Sequence, residues 1–262
     1  QGVDIVVAER DRDVIAPAAR PAFCLEGNLV DAFNVLDSDK VTAVSERWGD
    51  YYYDYIDPTD PAYNEWVDAG FYPPGTGTAR MLAHYARIFP VTEINFTWYQ
   101  MPKTATMDRM RRKAPEGFRF AAKLTRTLTH EVDPEGWPAQ AALYREGIAP
   151  LVQSGQLLAV LVQLPPFFRR TPDNRRYLAR LLDALVDLPV AVEFRHVSWA
   201  VDRVFASLEA RKVALACVDV PDLPDLFPSR AVATSPDLFY IRFHGRNAAG
   251  WRSGNMQKQF DY

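Results

Sequence analysis

From residue 73 onward, short apolar runs alternate with longer segments whose apolar positions recur at helical spacing. The runs are rich in β-branched and aromatic residues, as expected of parallel strands buried on both faces. They predict strands over residues 91–95, 118–124, 157–164, 190–194, 213–218 and 238–243. The segments between them predict helices over residues 78–89, 105–113, 138–154, 173–186 and 201–211. Strands that alternate with helices build βαβ units and a parallel sheet.

The alternation alone leaves two architectures open, a doubly wound sheet and a closed barrel. A dinucleotide-binding sheet usually carries G-x-G-x-x-G after its first strand, and this sequence has no such motif. A chain of 262 residues also suits one barrel. The predicted fold class is therefore α/β, a TIM (β/α) barrel.

The N-terminal part of the chain is less regular. Residues 3–7 predict a short strand, 14–22 a linker, 41–44 a further strand and the tyrosine-rich 51–55 a packed loop. In the helix predicted over 173–186, Asp173 is the expected N-cap. We accordingly divide the chain into an atypical N-terminal segment, 1–60, and a barrel domain, 61–262.

Composition limits the cellular compartment and the classes of binding partner that we expect. The two cysteines, Cys24 and Cys217, are too few for a disulfide framework and favour a reducing, cytoplasmic compartment. No apolar stretch is long enough to span a membrane, and no secretory signal is seen. The net charge of −3 disfavours duplex binding, which usually needs a basic face.

Charged residues occur where the predicted strands end, and this is the main functional signal. Glu193 and Arg195 share one face of their strand because side chains alternate. Arg242, His244 and Arg246 likewise share one face, with Gly245 allowing a bend. Active sites of (β/α) barrels lie at the C-terminal ends of the strands. These side chains are therefore expected to line one pocket.

Other strand ends and loops repeat the pattern, and each residue also has a structural interpretation. Lys123 and Asp219, for example, could form a buried ion pair that locks the barrel. His84 and His196 are expected to be structural. The further candidates at strand ends and in loops are Glu93, Asn95, Tyr99, His130, Gln163 and Trp199.

The same residues carry a resemblance to the YecE-like family, a bacterial and archaeal family of uncharacterised TIM-barrel proteins. The matching stretches are 71–73 (FYP), 85–90 (YARIFP), 93–99 (EINFTWY), 117–123 (GFRFAAK), 129–130 (TH), 162–166 (VQLPP), 193–195 (EFR) with Trp199, and 240–247 (YIRFHGRN). The resemblance implies a TIM barrel and no established activity.

Two departures from that family concern the ends of the barrel. Members usually open with a Gly-Thr-Ser-Gly-Trp-type strand, whose place here is taken by residues 51–60, so the first strand is degenerate or rebuilt. Members also continue past the position of Tyr262 into an eighth strand. Either this chain is truncated, or an N-terminal segment such as residues 3–7 fills the eighth place.

The first functional hypothesis is a protein that binds a small anionic molecule, bearing phosphate or carboxylate, and acts on it as a hydrolase, lyase or isomerase. The predicted acid and base residues are Glu93, Glu193, Asp219 and His244. The predicted ligand-binding residues are Asn95, Tyr99, Lys123, His130, Gln163, Arg195, Trp199, Arg242 and Arg246. No cofactor is predicted, although a divalent metal stays open.

Two alternatives use the same residues differently. A metal-assisted phosphodiesterase would bind its ion through His130, Glu193, Asp219 and His244, but the neighbouring cations would repel a metal. A non-catalytic module for nucleic acid or protein would stack bases on Trp98, Tyr99, Trp199 and Trp251. Aromatic residues are more often core than binding surface, so nucleic acid is not favoured.

Overall fold

The computed structural model describes the backbone of residues 4–8 and 21–23, and residues 72–251. Eight strands lie parallel in one sheet, in the order β2-β1-β8-β7-β6-β5-β4-β3. They are β1 (Asp4–Ala8), β2 (Pro21–Phe23), β3 (Val91–Ile94), β4 (Arg119–Lys123), β5 (Leu157–Gln163), β6 (Val190–Glu193), β7 (Ala214–Asp219) and β8 (Leu238–Phe243).

One helix precedes β3, and helices connect the strands from β3 to β7. They are α1 (Thr78–Tyr85), α2 (Phe96–Tyr99), α3 (Thr104–Lys113), α4 (Trp137–Gln153), α5 (Pro172–Ala184) and α6 (Asp202–Ala210), with 3₁₀ turns at Arg126–Leu128 and Val197–Trp199. Among the described helices, none combines the length and the apolar character that a membrane span requires.

The predicted alternation of strands and helices is confirmed from α1 to β8. All six predicted strands and all five predicted helices are present, most of their ends lying within one or two residues of the expected positions. The helix α2 was not predicted, because four residues are too few to show a helical period. The N-cap of α5 is Thr171, whose Oγ1 accepts a hydrogen bond from the N–H of Asn174, so the prediction of Asp173 is wrong. Pro172 explains the shift, since proline suits the first helical position.

The N-terminal segment contributes strands to the sheet. β1 pairs along β8, from Asp4 beside Leu238 to Ala8 beside Arg242, and β2 pairs with β1. The strand predicted over residues 3–7 is thus confirmed as β1. It pairs with β8, as expected if an N-terminal segment takes the place of the family's eighth strand. Residues 21 and 22, at the end of the predicted linker, lie in the strand β2. The strand predicted over 41–44 and the loop over 51–55 lie outside the described residues.

Strands β3 to β8 form a curled half-barrel of six parallel strands, which is TIM-barrel-like. Within the described part of the chain, no ladder joins β2 to β3, so closure of the barrel is not shown. The division at residue 60 stays a prediction.

Two apolar layers cover the two faces of the half-barrel. The outer layer packs the strands against the helices through large side chains such as Phe120, Val192 and Leu215. Half of the inner layer is alanine, and Tyr240 is its largest member: Val91, Ala121, Leu158, Ala159, Leu161, Ala191, Ala214, Ala216 and Leu238 complete it. Small inner residues leave room for long side chains at the next level of the barrel.

Candidate functional site

Polar side chains follow the inner apolar layer by two residues on five strands. Because side chains alternate along a strand, a residue two positions after an inward residue also points inward. The pairs are Val91 and Glu93, Ala121 and Lys123, Leu161 and Gln163, Ala191 and Glu193, and Tyr240 and Arg242. All five strands run in the same direction, so these side chains meet at the C-terminal mouth, as predicted.

Arg242 joins two glutamates from distant strands. Its Nη1 donates to Oε2 of Glu193 at 2.5 Å, and its Nη2 donates to Oε1 of Glu93 at 3.1 Å. All three side chains have no exposed surface. Buried charges are costly unless they are paired and hydrogen-bonded, which is the case here. Arg242 therefore holds β3, β6 and β8 together at the mouth.

The second carboxylate oxygen of each glutamate also makes polar contacts. Oε2 of Glu93 accepts a hydrogen bond from the hydroxyl of Tyr240. Oε1 of Glu193 is in ion-pair contact with Nε of Arg195 and lies 3.3 Å from Nε2 of His244. Burial raises the pKa of Glu193, while the positive charges of Arg195 and Lys123 oppose that rise. We call these residues, Glu93, Glu193, Arg195, Tyr240, Arg242 and His244, the mouth network.

Lys123 borders the mouth network at the end of β4. Its Nζ lies 5.5 Å from the centre of the Trp98 ring, a cation–π contact, and the residue is 8% exposed. Burial lowers the pKa of Lys123 to about 8, and attraction to Glu93 and Glu193 limits the fall. At pH 7 roughly a tenth of this amine is uncharged, a far larger fraction than for an exposed lysine.

His130 is held beside Lys123 by Trp98. The indole Nε1 of Trp98 donates to Nδ1 of His130 at 3.3 Å, and the two rings meet edge to face. Burial, followed by the positive charges of Lys123 and Arg195, lowers the pKa of His130 to about 4. His130 is thus a neutral imidazole at physiological pH, with its proton on Nε2.

Buried hydroxyl groups fix the backbone where β3 and β4 end. Oγ1 of Thr97 lies 2.9 Å from the carbonyl oxygen of Ile94 and 2.6 Å from that of Lys123. The hydroxyl of Tyr144, from α4, lies 3.2 Å from the carbonyl oxygen of Lys123. These bonds hold the backbone that carries Lys123 in place.

Arg246 and Asp219 form a separate pair at the rim. Nε of Arg246 lies 3.0 Å and 2.9 Å from the two carboxylate oxygens of Asp219. The Arg246 side chain is 64% exposed, unlike Arg242 and His244, with which it was expected to share a face. Gly245 explains the difference, since its φ of 85° turns the chain and ends the alternation. The suggested pair of Lys123 with Asp219 is not formed, because Asp219 engages Arg246.

The remaining predicted ligand-binding residues occupy other places. Trp199 stacks between Phe168 and Phe194, and its indole N–H donates to the carbonyl oxygen of Phe168 at 2.6 Å. It belongs to the layer between the sheet and the helices. Tyr99 is exposed and packs edge to face on Trp98, Asn95 is buried at the start of α2, and Gln163 lies beside Glu193 on the neighbouring strand.

A groove of about 510 Å³ lies beside the mouth, between the loops that follow β4 and β5. It is lined by aromatic rings, including Trp137, Phe167, Phe168 and Tyr177. Of the site residues described above, only His130 lines this groove. The groove therefore lies beside the charged site and does not form part of it.

The proposed set of metal ligands is not assembled. Within the parts of the chain that are described, no three histidine, cysteine or acidic residues form a group that could hold a metal ion. Glu193, one of the four suggested ligands, instead contacts arginines and His244. The described structure therefore does not bring His130, Glu193, Asp219 and His244, the ligands of the metal alternative, together as one group.

Tyr240 is a member of the mouth network that sequence reasoning did not select. It lies two residues before Arg242 and so shares its face, which was the available signal. Its hydroxyl donates a hydrogen bond to Oε2 of the buried Glu93.

His244 makes stability dependent on pH. Burial first, and then the charges of Arg195, Arg242 and Lys123, lower the pKa of His244 well below its ordinary 6.5. Below pH 6.5 the unfolded chain gains a proton that the folded protein does not, so acidification lowers the free energy of unfolding. The contribution of this one group to the slope of the free energy of unfolding against pH approaches about 1.4 kcal/mol per pH unit.

Urea unfolding of His244→Gln tests this dependence on pH. We expect the free energy of unfolding of the variant to lack this contribution to the slope between about pH 6.5 and pH 5. Parallel curves for the two proteins would contradict this assignment.

Comparisons with known proteins agree with this fold. UPF0759 protein YunF of Bacillus subtilis (strain 168) is 27% identical over 189 residues, which cover 69% of this chain and 67% of the relative. The crystal structure of a DUF72 family protein from Enterococcus faecalis V583 is 29% identical, covers 68% of this chain and 69% of its own, and has a TM-score of 0.63. That of a DUF72 family protein from Thermotoga maritima MSB8 is 31% identical, with coverages of 70% and 72% and a TM-score of 0.61.

A family model described as protein of unknown function DUF72 matches residues 60–262. This match confirms that the sequence motifs indicate a DUF72 protein, while the narrower family name YecE-like stays a prediction. The match extends over the strands β3 to β8 and over every residue of the mouth network. The chain belongs to the DUF72 family, whose function is unknown.

Proposed function

We propose that the protein binds a small anionic molecule, bearing phosphate or carboxylate, at the C-terminal mouth of its strands and performs acid–base chemistry on it. Arg195 carries this proposal. Its side chain is 15% exposed, its Nε engages Glu193, and its Nη atoms make no hydrogen bond to any described residue. An arginine fork at a concave rim suits phosphate and carboxylate groups.

The balance of charge supports an anion as the ligand. Four cationic side chains, Lys123, Arg195, Arg242 and Arg246, meet three carboxylates, Glu93, Glu193 and Asp219, which leaves one positive charge at the mouth. The carboxylate oxygens are already engaged by arginine, histidine and tyrosine. Arg195 is therefore the positive group at the mouth that is open to a ligand.

The acid–base residues of this proposal are those with neutral forms near pH 7. The pKa values of Lys123 and His130, about 8 and about 4, leave both residues able to exchange protons with a bound molecule through uncharged nitrogen. Glu193 is the carboxyl group best suited to act as a general acid, because burial raises its pKa and so favours its protonated form.

A thermal-shift titration with inorganic phosphate, pyruvate and dihydroxyacetone phosphate tests the binding proposal. At ten times its Kd, a ligand adds about 1.4 kcal/mol, which raises Tm by about 3–5 °C in a protein of this size. We expect Arg246→Ala to lose most of that rise, because the change removes a rim cation and releases the charge of Asp219 toward the ligand.

Arg211→Ala is the matched control. Arg211 also pairs with an aspartate, Asp183, at 2.5 Å, but it lies before β7 and so at the opposite end of the strands. It should keep the full rise in Tm. An equal response of the parent and both variants, or no response of the parent to any probe, would refute binding at the mouth.

A further inference from the structure

We propose that Lys123 is a nucleophile that forms an imine with the carbonyl group of a small anionic aldehyde, ketone or keto acid bound at the mouth. This inference rests on the proposed function, because the anion site would hold the carbonyl compound. It narrows the substrate class to molecules that carry both a carbonyl group and a phosphate or carboxylate group.

The placement of Lys123 is the first argument. It is the inward-pointing residue at the C-terminal end of β4, and Arg195 stands close enough to interact with it electrostatically. The face of Trp98 covers its side chain, and Thr97 and Tyr144 fix its backbone. A buried amine on a fixed backbone, near a guanidinium that binds the anionic group, would hold the amine and the carbonyl carbon together.

The groups around Lys123 supply the second argument. Glu93 from β3 and Glu193 from β6 attract its charge, Arg195 repels it, and His130 and Trp98 border it from the loops. Burial outweighs the two carboxylates and lowers the pKa of Lys123 to about 8 from an ordinary 10.5. An amine must be uncharged to attack a carbonyl carbon, so the surroundings activate this lysine.

The reaction balances without an oxidant or reductant. The nitrogen lone pair bonds to the carbonyl carbon, and the carbonyl π pair moves to oxygen. Glu93 or Glu193, the carboxylates that interact with Lys123, takes the first proton from the nitrogen and passes it to this oxyanion, which becomes a hydroxyl. The same carboxylate then takes the second nitrogen proton and passes it to the hydroxyl, which leaves as water while the nitrogen forms the C=N bond. The products are the imine and one water molecule.

Reductive trapping tests the inference on the full chain. The protein is incubated with pyruvate or dihydroxyacetone phosphate and cyanoborohydride, and adducts are located by peptide mapping. Hydride addition converts an imine into a stable secondary amine. We expect Lys123 to be modified at least about tenfold faster than exposed lysines at about pH 7.5, because its neutral fraction is larger. The rate should rise with pH through about 8 and then level off.

Matched variants and a neutral probe complete the test. Lys123→Arg keeps the charge and removes the nucleophile, so it should lose the adduct, whereas Lys103→Arg, which replaces an exposed lysine, should keep it. Peptide mapping of the unmodified chain decides the site even if Lys123→Arg does not fold. Equal labelling of Lys123 by neutral dihydroxyacetone would overturn the anionic substrate class.

The two proposals fail in distinguishable ways. If pyruvate and dihydroxyacetone phosphate raise Tm in the parent but not in Arg246→Ala, and no adduct forms on Lys123, the imine is refuted and anion binding stands. If the probes neither raise Tm nor label Lys123, both proposals are refuted.

Discussion

Replacing Arg242 with methionine is expected to lower the free energy of unfolding by about 3–5 kcal/mol. Methionine keeps much of the side-chain volume and removes the charge. Glu93 and Glu193 would then remain fully buried without the guanidinium that pairs with both. The loss arises mainly because two buried carboxylates lose the cation that contacts both, since breaking a buried pair from one side leaves an uncompensated charge. Urea unfolding of parent and variant at neutral pH measures the difference.

The control for this prediction is a surface arginine. Arg211→Ala breaks an ion pair with Asp183 whose members are both substantially exposed. Exposed ion pairs contribute about 0–1 kcal/mol, so this variant should unfold almost like the parent. A loss below about 1 kcal/mol in Arg242→Met would mean that the two glutamates find other partners or are neutral in the folded protein.

Replacing Trp199 with alanine is expected to lower the free energy of unfolding by about 3–5 kcal/mol. The indole is 3% exposed and lies between two phenyl rings, at 5.6 Å from Phe168 and 4.7 Å from Phe194. Alanine would leave a cavity at the junction of sheet and helices. Trp199→Phe keeps a ring in the stack and loses the bond to the carbonyl oxygen of Phe168, which should cost about 1–2 kcal/mol.

The same variants separate a structural Trp199 from a ligand-binding one. Trp199→Phe should keep the rise in Tm that phosphate and the carbonyl probes produce, since its ring stacks with Phe168 and Phe194 and not in the mouth network. If Trp199→Phe is as stable as the parent but loses the response to the probes, Trp199 contacts the ligand, as its place in the sequence suggested.

The convergence of Glu193 and Arg242 could be predicted because it depends only on local rules. Alternation within a strand and a common direction of parallel strands bring such residues to one rim. Their exact pairing could not be predicted, since Arg242 could have met any acid at that level. The choice depends on the order of strands and on the curl that carries Glu93 of β3 toward β8, a contact between residues 149 positions apart in sequence.

Rim residues were harder to predict than strand residues. Alternation ends at Gly245, so the sequence could not show that Arg246 leaves the face of Arg242 and His244 for Asp219. Trp199 follows a strand as a binding residue would, yet the 3₁₀ turn at Val197–Trp199 directs it into the outer layer. Loop geometry is set by tertiary packing rather than by a repeating pattern.

The coupling energy between Arg242 and Glu193 tests most directly whether separate strands form one charged unit at the mouth. It is obtained from urea unfolding of the parent, Arg242→Met, Glu193→Gln and the double variant. Their contact of 2.5 Å without exposed surface predicts a coupling of about 1–3 kcal/mol, with the double variant losing less than the two single losses combined. Additive losses, equal within about 0.5 kcal/mol, would contradict the network.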